Sequence, residues 1–455
     1  MEYDIVILGG GSAGYASADS AQRMGAKVAI IDPGPLGGLC ILRGCMPSKA
    51  ILRSAEVVSL IRRAKEFGLH PVNVCVNLPA INDRKRKLIK EFANYRIKQL
   101  KDPRFDLYQE HGEFTSPREI RAGQHILKAK HIVIATGSIT GRYNIPGLDE
   151  YITSDDALEI RELPRSMVVL GAGPVAVELA QFFQRIGTQV TLIQRSTHIL
   201  STTDEDLARP LEVRLQEEGM KVYTGTRLIE VKKKDLLSLV HFSHEGEEKT
   251  ASGEIILQAL GRKPNSSELN LQAAGVETDS NGYVIANEEM RTNVPHIFSV
   301  GDVNGQHEVV HTAIQQGEIA AQNALTSKTV IFDNRLKATV VFTDPQVANV
   351  GLTEKECVLE NIPYLSASYP FGDHGKSLCL GETHGHVKLL CSPKNGEIIG
   401  AHIVGPEGGE LIHELIAVMY FRGTVCDLTQ IPHYHPTLAE IFTYPAEELS
   451  SRIEN

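Results

Sequence analysis

One local pattern occurs twice in this chain, 162 positions apart, and it constrains the fold more than any other feature. An apolar run, Tyr3–Leu8, leads into Gly9-Gly10-Gly11-Ser12-Ala13-Gly14, then a stretch of small residues to Gly25 and a second apolar run, Lys27–Ile31, ending at Asp32. This is a strand–turn–helix–strand start with Gly-x-Gly-x-x-Gly spacing. The first glycine makes the tight turn, the second lets backbone approach a pyrophosphate, and the third lets helix and strand pack closely. The helix N-terminus turns its free N–H groups and positive dipole end toward the phosphates. Asp32 can accept hydrogen bonds from a ribose diol. Within Val168–Gln194 the residues Gly171, Gly173, Ala176, Gly187 and Gln194 repeat Gly9, Gly11, Gly14, Gly25 and Asp32 in register. An ordinary helix-opening turn accounts for one such match but not for two in register over five positions. Two dinucleotide sites in one chain imply electrons passing from one cofactor to the other.

At 455 residues the chain is too long for one core, and two to four domains are expected. A formal charge of −10 gives no basic footprint for nucleic acid or a membrane surface. No apolar run approaches the roughly 20 residues of a membrane span. Asp4 breaks the first apolar run and no basic n-region precedes it, so no signal peptide is expected. The 7 cysteines are odd in number and widely spread, unlike a disulfide-stapled secreted domain. A cytoplasmic location follows as the expectation, and a disulfide there is more often catalytic than structural.

Residues 67–114 hold a basic stretch, Arg84-Lys85-Arg86-Lys87, within a long helix running through Leu100, read as a solvated face. Lys128–Gly137 reads as a strand ending at Ala135-Thr136-Gly137, and Glu254–Gly261 as another that ends before Arg262-Lys263-Pro264-Asn265. Small-residue turns at such strand ends, Thr136, Gly137 and Gly261 among them, suit packing under a cofactor. Beyond about Leu336 the glycine pattern stops. Ala338–Phe342, His386–Cys391 and Ile398–Val404 suggest a sheet, followed by an apolar helix, Gly409–Phe421.

Cys40-Ile41-Leu42-Arg43-Gly44-Cys45 follows Asp32 closely, and its spacing lets the two cysteines meet across one helical turn. Gly44 permits close backbone approach. A zinc site commonly wants four ligands in two paired clusters, and no second close pair exists. No metal is expected. Cys75, Cys357, Cys379, Cys391 and Cys426 have no partner at motif spacing and read as buried small hydrophobes.

The stretch Gly37-Gly38-Leu39-Cys40-Ile41-Leu42-Arg43-Gly44-Cys45-Met46-Pro47-Ser48-Lys49 resembles the active-site signature of the pyridine nucleotide–disulfide oxidoreductases. The resemblance extends along nearly the whole chain. Thr292 with Phe298-Ser299-Val300-Gly301-Asp302 resembles the second FAD motif, which implies that Asp302 contacts the ribityl chain. Val175-Ala176-Val177-Glu178 resembles the segment whose Glu pairs with the active-site Lys beside the flavin, implying Glu178 with Lys49. Pro345–Glu354 and His433-Tyr434-His435-Pro436-Thr437-Leu438-Ala439-Glu440 resemble the interface domain. The resemblance implies FAD and NAD(H) or NADP(H) as cofactors. The implied fold class is α/β, with two Rossmann-like dinucleotide-binding domains plus a C-terminal α+β interface domain. Expected boundaries are 1–145 for the first part of the FAD-binding domain and 146–265 for the NAD(P)-binding domain. Residues 266–335 are expected to return to the FAD-binding domain, and 336–455 to form the interface domain.

Pro436 is suited to the first position of a helix, which would set His435 at a helix entrance where the dipole disfavours its cation. Glu440 can supply the opposing charge and orient the ring, giving a His–Glu dyad suited to general acid–base work. His433 reads as a packing or surface residue. In the resemblance the His and Glu serve the partner subunit's cysteines, so a homodimer with shared active sites is expected. Cys40 is then the interchange thiol facing substrate and His435, and Cys45 the thiol facing the flavin and Lys49. Three stretches, Val309-Val310-His311, Gly405–Glu410 and His435–Glu440, lie nearer the dihydrolipoamide-oxidising members. The expected substrate is therefore a dihydrolipoyl dithiol, with a lipoyl group on a carrier protein as an expected partner. Against it, Ala176 closes the second fingerprint, Gln194 replaces the acid that favours NAD(H), and Arg195 follows, a pattern suited to a 2′-phosphate. The runner-up is thus an NADPH-driven reductase of a small disulfide or another oxidant, of the glutathione- or mercuric-ion-reducing type. For the latter a C-terminal cysteine pair is missing from Ser450–Asn455. A non-catalytic flavin-loaded subunit is the third reading, disfavoured by intact Cys40, Cys45, His435 and Glu440. Leu39 and Leu42 stand where the family often has Thr and Asn.

Overall fold

The computed structural model describes residues 1–70 and 73–453. The 67–114 stretch and the closing segment 450–455 each include residues outside that range. The chain divides into two compact units, each assembled from three stretches: Met1–Ala50, Asp83–Gly141 and Gly261–Asp333 in the first, and Ile51–Asn82, Arg142–Leu260 and Asn334–Asn455 in the second.

The first unit is built on a parallel core of strands in the order Phe105–Tyr108, Val28–Ile31, Glu2–Leu8 and His125–Ile134. At its centre Ile5–Leu8 and Val28–Ile31 are unbroken aliphatic runs because a parallel strand there is buried on both faces. Glu119–Ala122 and Gly112–Ser116 extend the sheet antiparallel, and Ile297–Ser299 pairs in parallel with Ile132–Ile134. A strand remote in sequence thereby completes the first sheet. The helix Ser12–Arg23 packs against Val310–Leu325 at close range, since a Cβ on Gly317 would lie 2.3 Å from the carbonyl oxygen of Ala13.

The second unit contains the repeat. Its parallel sheet runs Lys221–Tyr223, Gln189–Ile193, Ser166–Leu170 and Ile255–Gln258, beside a three-stranded antiparallel sheet of Arg227–Lys234, Leu237–His244 and Glu247–Gly253. The helix Pro174–Ile186 begins with proline at its first turn, where the missing N–H costs nothing, and closes on left-handed Gly187. The remaining sheet is antiparallel, in the order Ala338–Val341, Gln346–Gly351, Ile398–Gly405, His386–Cys391 and Leu365–Pro370. The helix Gly408–Tyr420 packs on it through Ile412, Leu415 and Met419.

Two buried ion clusters brace this unit. Arg185 donates to Glu218 and Asp344, each at 2.5 Å from Nη2. Lys388, fully buried, donates to Asp204 and Asp206 at 2.9 Å and to Glu354 at 3.1 Å. The three carboxylates form a donor set of metal-like geometry, and an ammonium fills it.

Three sequence expectations are corrected. The helix Leu78–Leu100 is present, but Lys85 is 1 % exposed, so the basic stretch is not wholly a solvated face. Of the five unpaired cysteines only Cys357 and Cys391 are buried; Cys75, Cys379 and Cys426 are exposed, Cys426 on the outer side of a helix that buries Val425 and Leu428 instead. Pro436 does not start a helix. The His435-Pro436 peptide is cis and helical structure begins at Ala439, so His435 gains nothing from a helix dipole.

Candidate active site

The two glycine turns are superposable in their chemistry. Gly11 and Gly173 each have nothing within 4 Å of where a Cβ would stand, so protein packing does not demand glycine there and the backbone is open to close approach by a ligand. Gly14 is different: a Cβ would lie 1.9 Å from the carbonyl oxygen of Gly9, which is the helix–strand contact that needs the third glycine. In the second turn Ala176 fills that place and is fully buried. Asp32 ends its strand with both oxygens engaged, accepting from the N–H groups of Gly10 at 2.6 Å and Gly34 at 2.7 Å. Those bonds aim the carboxylate and leave lone pairs for a diol.

Thr136 Oγ1, at the end of the strand His125–Ile134, is buried without a hydrogen-bond partner among the described residues. A buried hydroxyl left unpaired costs free energy that a ligand can restore. Asp302 Oδ2 accepts from Ser138 Oγ at 2.6 Å, and Arg262 donates to that same Oγ at 2.7 Å and to the Ser138 carbonyl at 2.8 Å. Ser138 and Arg262 were not singled out from sequence. Their signal is only their place, each beside a small-residue turn at a strand end. Gly137 and Gly301 have positive φ of 70° and 73°, which fixes the turns that carry Thr136 and Asp302. The residues around Gly11, Asp32, Thr136 and Asp302 thus fit a dinucleotide.

Cys40 lies in the short helix Gly38–Arg43 and Cys45 opens the 18-residue helix Cys45–Arg62. Gly44 separates them, and a Cβ there would sit 3.1 Å from both Cys40 Cα and the Leu39 carbonyl oxygen. The cysteines therefore meet across a break between two helices, not within one turn. Both are thiols here, and the Cys40 side chain is hydrogen-bonded to that of Cys45. That bond, then burial, pushes the Cys40 thiol far up, while Lys49 acts in the opposite direction. Of the pair, Cys45 is the one at the N-terminus of a long helix, where a thiolate is stabilised.

Glu178 is buried on the helix Pro174–Ile186 and accepts from the backbone N–H of Phe342 at 2.9 Å. Gln194 ends the strand Gln189–Ile193, its backbone bonded to Tyr223 and Thr226. Arg195 beside it is exposed, and no carboxylate pairs with it among the described residues.

His435 Nδ1 lies 3.0 Å from Glu440 Oε2 and 3.2 Å from Oε1. The ring is 80 % exposed and the carboxylate 13 %, so the acid is fixed and the base is accessible. A carboxylate cannot donate, so Nδ1 carries the proton and Nε2 is left for proton transfer. His433 is held by Glu414 at 2.8 Å and by the Ile431 carbonyl at 2.8 Å, in keeping with a packing role.

The pyridine nucleotide-disulphide oxidoreductase model matches residues 3–317, and the dimerisation domain of the same family matches residues 337–446. The chain belongs to this family. It is a family of oxidoreductases that bind FAD, use NAD(P)H, act on sulfur groups and form homodimers through that second domain. The chain is 33% identical to a mercuric reductase of Staphylococcus aureus over 96% of this chain and 81% of that one. It is 32% identical to a dihydrolipoyl dehydrogenase of Bacillus subtilis over 96% of each, and 33% identical to one from Thermus scotoductus over 98% and 97%. In fold it is similar to the HOCl-induced flavoprotein disulfide reductase RclA from Escherichia coli, with a TM-score of 0.86 over 98% of this chain and 99% of that chain at 23% identity. Among the described residues no helix is long and apolar enough to cross a membrane.

Proposed function

We propose that this family member oxidises a small dithiol of the dihydrolipoyl kind, using Cys40 and Cys45 as its redox pair and His435 with Glu440 as its acid–base dyad. The observation that carries this reading is the dyad, with Nδ1 held 3.0 Å from Glu440 and the His435 ring exposed. Thiol–disulfide exchange needs a proton removed from each attacking thiol and returned to each leaving one. Reduction of a metal cation has no such need, which favours a dithiol over the mercuric substrate named for one set of relatives.

In this reading His435 of one subunit takes a proton from the first substrate thiol. The thiolate attacks Cys40 Sγ, the Cys40–Cys45 bond breaks, and Cys45 departs as a thiolate favoured by its helix N-terminus. The second substrate thiol then attacks the substrate sulfur of the mixed disulfide. Its ring closes, Cys40 leaves and receives the proton held on His435, and His435 then takes up the proton released by the second substrate thiol. The substrate is oxidised by two electrons and the cysteine pair is reduced by two. FAD, when bound, supplies the route by which that electron pair reaches the nicotinamide. Gly9, Gly11, Gly14, Asp32, Thr136, Gly137, Gly301 and Asp302 would hold it. Gly171, Gly173, Ala176, Gln194, Arg195 and Gly261 would hold the nicotinamide dinucleotide. Lys49 and Glu178 would stand as cation and carboxylate at the flavin. A lipoyl group on a carrier protein is the natural form of the substrate, and a reducing, cytoplasmic compartment suits a catalytic disulfide.

One observation favours a second reading. Arg195 is exposed and unpaired, and Gln194 replaces the acid that would repel a 2′-phosphate. That suits an NADPH-driven reductase of a small disulfide. Steady-state rates with dihydrolipoamide and NAD, set against NADPH with a panel of disulfides, separate the two. Turnover only in the second arrangement would overturn the first.

A further inference from the structure

Glu440 has a second histidine. His374, fully buried at the start of the short helix Gly375–Leu380, places Nε2 3.3 Å from Glu440 Oε1 and Nδ1 2.9 Å from Ser377 Oγ. A carboxylate must be met by a donor, so the hydrogen is on Nε2, and Nδ1 accepts from the Ser377 hydroxyl. At 3.3 Å and imperfect alignment the contact with Glu440 is long, more a charge–dipole contact than a full hydrogen bond. Burial holds the His374 imidazole down, against the pull of Glu440, so the ring is a neutral donor. Among the described residues the charged groups acting on it are Glu440 and His435; the edge of the Tyr444 ring, itself stacked on Tyr369, closes the other side.

An apolar side chain would pack the same space without burying two ring nitrogens. The polarity of His374 is met by two neighbours, Ser377 and Glu440, and of these Glu440 acts on His435. We infer that His374 is a positioning residue for the acid–base histidine. It shares the Glu440 carboxylate with His435, fixes that carboxylate's rotamer, and by drawing on its charge keeps the His435 imidazolium from being over-stabilised. A base held too strongly protonated cannot accept the thiol proton near neutral pH. The inference rests on the reading of His435 as the acid–base group.

The test uses the FAD-loaded dimer and reads His435 directly, by hydrogen–deuterium exchange at the imidazole C2 position followed by mass spectrometry across pH. His374→Leu removes the donor, so the His435 pKa should rise by about half a unit to one unit. His374→Gln restores an N–H donor and should return the value toward that of the wild type. Ser377→Ala, a gentler change that leaves the ring in place but frees its tautomer, should shift His435 in the same direction by less. The acid limb of the pH–kcat/KM profile should move with the exchange pKa. A His435 pKa unchanged in both His374→Leu and Ser377→Ala overturns the inference. Should His374→Leu fail to fold, the Ser377→Ala and His374→Gln values decide it in the same way. Full turnover in His435→Gln would instead overturn the acid–base reading, while the exchange data would still report whether His374 acts through Glu440.

Discussion

Gly9 and Gly171 occupy one position in two nucleotide folds, with φ of +104° and +103°, and at each a Cβ would lie 2.4 Å from a carbonyl oxygen, of Ala135 and Ala259 respectively. Both the backbone conformation and the neighbouring strand therefore forbid a side chain. Because the two turns lie in different units, each can be damaged alone. Gly171→Ala should leave FAD content and flavin absorbance intact while raising KM for the nicotinamide substrate by roughly tenfold or more, from ~1–3 kcal/mol of strain. An unchanged KM would show that the second turn does not carry the pyrophosphate.

The unequal cysteines make a second prediction. Cys45 stands at the head of its helix, where a thiolate is stabilised, while the bond to Cys45 and then burial push the Cys40 thiol up. Anaerobic titration of the wild type with a dithiol should raise a long-wavelength absorbance band from a thiolate against the oxidised flavin. Cys45→Ser should abolish that band. Cys40→Ser should retain it without any titrant, although both variants lose dithiol turnover. A band surviving in Cys45→Ser would reverse the assignment.

Arg195 tests the choice of nicotinamide. Its guanidinium is exposed and available for a 2′-phosphate, where a charge-assisted contact is worth about 1.5–3 kcal/mol. Arg195→Ala should raise KM for NADP(H) by roughly tenfold or more and leave that for NAD(H) within about twofold. Equal effects on both dinucleotides would remove Arg195 from phosphate recognition.

Stability should fall in mild acid for a reason located in the antiparallel sheet. His402, wholly buried with Nε2 3.0 Å from the Leu352 carbonyl and Nδ1 3.0 Å from the Asn349 side-chain amide, is pushed down to about 4 by burial and then by the Lys388 ammonium. Above its ordinary value of 6.5 the ring is neutral whether folded or unfolded, and no stability is lost. As pH falls from there toward 4, the unfolded chain binds a proton that the folded chain refuses, which removes about 2 kcal/mol by pH 5. Guanidinium unfolding midpoints at pH 7 and pH 5 should therefore separate less in His402→Gln than in the wild type. Equal separations would place the acid sensitivity elsewhere.

The parts of this chain legible from sequence are those where backbone geometry restricts residue type. Gly9, Gly14 and Gly171 are legible because no other residue fits their turns, and the aliphatic runs beside them because parallel strands are buried on both faces. Cys40, Cys45 and the His435–Glu440 dyad are legible because reactive residue types stand at short spacing. The misjudged features depend on neighbours distant in the chain. Lys85 is buried within a run of charges, and Pro436 looks like a helix start until its cis peptide and the onset of helix at Ala439 are seen. Ser138 and Arg262 meet across 124 positions, and His374 meets Glu440 across 66, separations over which spacing carries no signal.

The pairing of Ile297–Ser299 with Ile132–Ile134 has a consequence for how the protein is made. The first sheet lacks one strand until the ribosome has added about 160 more residues, among them the entire second nucleotide fold. At ordinary translation rates that interval is roughly 10–30 s. Throughout it the edge of Ile132–Ile134 is an open template for any passing strand. The second nucleotide fold, whose four parallel strands are all synthesised by Gln258, can close first. A nascent chain stalled between Gln258 and Ile297 should thus be the species most dependent on chaperones, and flavin can be captured stably only after that late strand has left the exit tunnel.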